Sequence, residues 1–131
     1  MNYLLPAAKQ ALLEKRVDWN SDPIFGVLVY TGTYTFSLAH ASLADVPVYA
    51  RLSTSGTLTG RTTTNGVADA DDLLIPGYVG SDAQVIALFN GSNDSALYMC
   101  YVDTAQGLPV QGNGVPALVH WDNGPRKIFA I

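Results

Sequence analysis

Apolar and polar positions change rhythm once along this chain, at Pro23. Before it, Leu4, Ala8 and Leu12, joined by Leu5, recur at helical spacing and form one apolar stripe. Pro6 suits a first helical turn, where its missing N–H costs nothing. Ala7, Ala8, Ala11, Leu12 and Leu13 are strong helix formers, and Lys15 and Arg16 complement the negative C-terminal end of a helix dipole. The pattern predicts one helix over residues 6–16, closed by the turn cluster Asn20-Ser21-Asp22-Pro23.

After Pro23 the chain reads as strands. Residues 24–30 are apolar at both parities, as expected of a central strand covered on both faces. Residues 34–44 are ambiguous, with a helical turn one option at residues 42–45. Residues 46–52 read as an edge strand, because Pro47 cannot donate to a ladder. Residues 57–59 and 67–70 flank a polar hairpin whose Asn65-Gly66 pair tolerates the positive φ of a tight turn. Further strands are expected at 72–76, 83–89, 96–103, 117–121 and 127–131, with turns at 90–94 and 122–125 and a long loop at 107–114. About eight short strands separated by turns predict a mostly β, antiparallel β-sandwich with one N-terminal α-helix. The expected core is Phe25, Val27, Val29, Val85, Ala87, Phe89, Met99, Val119 and Trp121.

Composition narrows the class. The 131 residues fit a single domain, and 48% hydrophobic residues supply a core. Charged residues are only 14%, well below the quarter or so usual for a free-standing domain, which hints at a surface partly covered by partners. The net charge is −4, and Lys15-Arg16 and Arg126-Lys127 are isolated pairs. Neither nucleic acid nor a membrane is an expected partner, since both need a basic cluster. Cys100 is the one cysteine, so no intrachain disulfide is expected, and its apolar setting suggests a buried thiol. The N-terminus lacks the pattern of a secretory signal, and the expectation is synthesis in a cytoplasm.

Candidate chemistry is sparse. Asp69, Asp71 and Asp72 could supply part of a calcium shell, but the glycine and terminal Glu of a calcium loop are missing, and a solvated turn is the expected reading. His40 and His120 lie apart without a zinc pattern; a strand-face hydrogen bond is expected for His120. Nucleophile-elbow, P-loop and dinucleotide motifs do not occur. No metal, cofactor or catalytic residue is assigned, and the protein is expected not to be an enzyme.

The order of features has a further implication. Val17-Asp18-Trp19, Ser21-Asp22-Pro23-Ile24, Leu43-Ala44-Asp45-Val46 and Leu58-Thr59-Gly60-Arg61-Thr62 are followed by Asn65-Gly66-Val67-Ala68-Asp69-Ala70-Asp71-Asp72. Gly107-Leu108-Pro109-Val110 and Trp121-Asp122-Asn123-Gly124-Pro125 close the series. Over nearly its whole length the chain resembles a family of small virion structural proteins of tailed bacteriophages. The resemblance implies a non-enzymatic particle component, made in the host bacterial cytoplasm and located in the virion. A capsid decoration or cement protein, bound in many copies or as a homo-oligomer to the major capsid protein or other virion proteins, is the first expectation. A tail or head–tail joint component is the alternative. A carbohydrate-binding β-sandwich using Tyr3, Tyr34, Tyr49 or Tyr78 is a third. Residues 1–5 and 107–114, as a terminus and a long loop, are the expected reach toward a neighbour, with Tyr3, Leu4, Leu5, Leu108 and Val110 as interface candidates.

Overall fold

The computed structural model describes residues 2–121 and 127–130; the turn expected at 122–125 lies outside them. The helix α1 spans Pro6–Leu13, shorter than the 6–16 expected. Lys15 adopts φ 61°, and the N–H groups of Lys15 and Arg16 return to the carbonyls of Leu12 and Ala11. This is a Schellman closure, which satisfies the last helical carbonyls and turns the chain. Lys15 and Arg16 therefore form the cap itself.

The main sheet has five antiparallel strands: β1 (Tyr3–Leu4), β2 (Ile24–Val29), β3 (Arg51–Thr57), β7 (Val85–Asn90) and β8 (Leu97–Val102), in the order β1-β8-β7-β2-β3. Two three-stranded sheets accompany it. One joins β6 (Leu73–Ile75), β10 (Ala117–Trp121) and β9 (Ala105–Gln106). The other joins β4 (Thr62–Thr64), β5 (Val67–Asp69) and β11 (Phe129–Ala130). The fold is thus mostly β and antiparallel with one N-terminal helix, as the turn spacing predicts.

Both faces of the main sheet are covered, which explains apolar residues at both parities of β2. Ile24 and Leu28 face one core cluster with Ile86, Leu88, Cys100 and Val102, against α1 and the small sheets. Val27 and Val29 face the other with Val85, Ala87, Phe89 and Tyr98, beneath the segment 31–50. Of the expected core, Phe25 alone is only half-buried; it lies at the start of β2 opposite Thr57 of the edge strand. A bulge between Leu88 and Phe89 sets two residues of β8 against one step of β7, sending both Met99 and Cys100 to the helix-side core. Gly26 permits close layering: a Cβ there would lie 2.7 Å from Ile86 Cδ1 and 2.9 Å from Leu73 Cδ2.

The edge strand expected at 46–52 is displaced. Leu43–Asp45 and Val48–Ala50 are 3₁₀ turns, and the strand runs Arg51–Thr57 instead. Arg51 fixes this arrangement, donating to the carbonyls of Val46 and Leu43 at 2.9 and 2.8 Å and pairing with Asp94 at 3.0 Å. The hairpin keeps its predicted Asn65-Gly66 turn, at φ 53° and 78°, but its first arm is Thr62–Thr64, not 57–59.

Candidate functional site

The small sheet β6-β10-β9 presents the most distinctive surface. Along β6 burial alternates: Leu73 and Ile75 point inward and Leu74 outward. In β10 Val119 and Trp121 point inward and Leu118 outward. Leu74 and Leu118 are direct cross-strand partners, 63% and 47% exposed. Outward positions of a half-covered sheet are normally polar. Beside Leu118 a shallow depression of about 250 Å³ is lined by Val115, Pro116 and Pro109. Val79, 86% exposed, lies against Gly114 next to Val115. Leu74, Leu118, Val115 and Val79 thereby make one exposed apolar strip.

Backbone packing ties together the two segments beside the sheet. The bridges Val79↔Asn113 and Ala83↔Val110 tie residues 79–83 to residues 110–113. The Cβ position of Gly77 meets the Gly114 carbonyl, and that of Gly112 meets the Gly80 carbonyl, so no side chain fits at either glycine. The loop 107–114 is therefore anchored, contrary to the expectation that it is free to reach.

The interface candidates separate accordingly. Tyr3 is 38% exposed, whereas Leu4 is buried and Leu5 fully so. Residues 3–5 belong to the sheet: Tyr3 and Leu4 pair with Tyr101 and Cys100, and Leu5 N–H donates to Met99 O at 3.1 Å. Val110 is buried, and Leu108, preceding a cis proline, is half-buried. Leu4, Leu5 and Val110 are thus core residues of this fold, because the terminus and loop seal its edges. Nothing marks Leu74, Leu118, Val115 or Val79 as a set in the sequence. The available signal is that residues 73–75 are apolar at both parities in a strand with one covered face.

A polar cleft of about 680 Å³ lies nearby, lined by Asp72, Asp103, Thr104, Gln106, His120 and Trp121. His120 Nδ1 is 2.7 Å from Asp72 Oδ2, the strand-face bond expected for this histidine. Both side chains are about half exposed, and the pair ties β10 to the start of β6. The neighbouring aspartates are held mainly through their backbone: Trp19 Nε1 donates to Asp69 O at 3.2 Å, and Trp121 Nε1 to Asp71 O at 2.9 Å. Among the described residues no group of three or more His, Cys, Asp or Glu is placed to hold a metal ion. Among those residues no helix is long and apolar enough to cross a membrane.

On the opposite face lies an aromatic cluster. Phe36 stacks on Tyr101 with centroids 4.1 Å apart, and Tyr3 approaches Phe36 at 5.6 Å. Beneath them the Tyr34 hydroxyl is 2.8 Å from His40 Nδ1 and 3.1 Å from the Tyr98 hydroxyl. Burial pushes the Tyr34 phenol up to about 12, and pushes the Tyr98 phenol further up. Four tyrosines do not form one sugar-stacking platform: Tyr34 is buried, and the Tyr78 hydroxyl lies 2.8 Å from the Ser81 carbonyl and 3.2 Å from that of Val110. Burial also raises the Cys100 thiol well above its ordinary range.

Comparison with protein-family models, with curated proteins and with solved structures finds no match to this chain.

Proposed function

We propose that this protein is a non-enzymatic component of a repeated assembly, a bacteriophage virion structural protein, acting as a decoration or cement protein on the capsid. The observation that carries the reading is the apolar strip of Leu74, Leu118, Val115 and Val79, displayed on the small sheet and the tied segments beside it. Exposed apolar surface set in backbone that does not yield is suited to a preformed protein interface. The low charged fraction, 14%, supports the same reading. The sequence resemblance to virion structural proteins supplies the setting, and the major capsid protein is the proposed partner. A decoration protein works by binding the closed shell in preference to its loose subunits, and many weak contacts then stabilise the particle together.

The test is incorporation of a Leu74→Lys/Leu118→Lys double variant into particles. Both side chains point outward, so the isolated variant should melt within a few degrees of the wild type. Particles assembled with it should carry at least about tenfold less of the protein, the effect of about 1.4 kcal/mol lost per copy. Wild-type incorporation of the folded variant would refute this interface.

A further inference from the structure

A hydrogen-bond chain runs from the core to the surface through three side chains. Tyr98 is fully buried, Tyr34 nearly so, and His40 half-buried. Tyr98 hydroxyl, Tyr34 hydroxyl and His40 Nδ1 are linked at 3.1 and 2.8 Å. Each phenol has one hydrogen, so Tyr34 can donate to His40 or to Tyr98 but not to both. Among the described residues the Tyr98 hydroxyl has Tyr34 as its hydrogen-bond partner and no other.

The direction of the chain follows from the state of His40. With a lone pair at Nδ1, Tyr98 donates to Tyr34 and Tyr34 donates to His40, and every hydrogen is used. With both ring nitrogens protonated, Nδ1–H must donate to Tyr34, whose own hydrogen can then go only to Tyr98, while the Tyr98 hydrogen can go only to Tyr34. That one contact holds a single hydrogen, so one of the two phenols is left without an acceptor in a site closed to water, and an unsatisfied buried donor is costly. We infer that the Tyr98–Tyr34–His40 chain is an acid-sensitive latch, holding the segment 31–45 closed while His40 is neutral and loosening it when His40 is protonated.

That segment is placed to respond. Leu43 N–H donates to Ala96 O, Tyr98 N–H donates to Ala41 O, and Leu43 is buried over the core face of Val27 and Phe89. The groups around His40 are known. Asp45, whose carboxyl is held below its usual range by the N–H groups of Ala41 and Ser42, attracts a charged His40. Its attraction opposes the latch but acts from an exposed position, where water and salt screen it. Phe36 presents a ring edge, and Tyr101 and Tyr3 lie beyond it.

Amide hydrogen exchange tests the latch, read as protection factors so that the intrinsic pH dependence drops out. Between about pH 7.5 and about pH 5, which spans histidine titration, the amides of Leu43 and Tyr98 should lose roughly tenfold protection. Those of Ala87 and Leu88 should keep theirs. Tyr34→Phe removes the hydroxyl through which His40 reaches Tyr98 and should abolish the acid response, whatever its overall stability. His40→Gln, which keeps an acceptor but cannot titrate, should abolish it too, and serves if Tyr34→Phe does not fold. An absent selective response in the wild type, or its persistence in either folded variant, would overturn the inference.

Discussion

Single residues set how closely the layers approach. Gly26 lets Leu73 and Ile86 close over β2 where any Cβ would collide. Trp19 and Trp121 each bury an indole and spend its N–H on a carbonyl of the acidic stretch, so that stretch is bound from below while its carboxylates stay outside. Cys100 sits in the helix-side core with no exposed surface, and burial keeps its thiol protonated. A thiolate is the reactive form. A disulfide reagent at neutral pH should therefore leave Cys100 unlabelled in the folded protein and label it fully in denaturant. Rapid labelling of the native chain, at the rate of an exposed cysteine, would show that this core is open.

At the scale of helices and strands, the terminus is structural. β1 closes the edge of β8, and Leu5 fills the core cluster around Phe89 and Tyr98. Leu5→Ala should cost about 2–5 kcal/mol, the usual range for emptying a fully buried leucine site. The variant's denaturant midpoint would fall accordingly, while an unchanged midpoint would return residues 1–5 to the role of a free arm. Strong local signals were legible in the chain: Pro6 at the helix start, Asn65-Gly66 at the hairpin, and apolar runs at β2, β7 and β8. Two kinds of feature were not. A strand of two residues, as in β1 or β9, has no period to detect. Residues 46–52 carry strand-forming Val and Tyr, but Pro47 fixes φ and Arg51 ties the chain back through the Leu43 and Val46 carbonyls. That side-chain tie overrides local strand propensity.

For the whole molecule, one main sheet is covered on both faces, and the outer layer on the helix side exposes apolar residues of its own. The low charge of the sequence hinted at a surface partly covered by partners. It did not indicate where that surface lies, because Leu73, Leu74 and Ile75 look alike until the sheet assigns their faces. Terminus and loop looked free because nothing local announces their partners: the backbone of β8 for one, and residues 77–83 for the other.

The proposed role as a repeated particle component is tested most directly by the copy number of the protein in purified virions, measured by quantitative mass spectrometry against the major capsid protein. Hundreds of copies per particle are expected, on the order of a multivalent shell coat, retained on tailless heads. A dozen copies or fewer, lost with the tail, would move the protein to the tail or joint, and absence from the particle would contradict the virion reading.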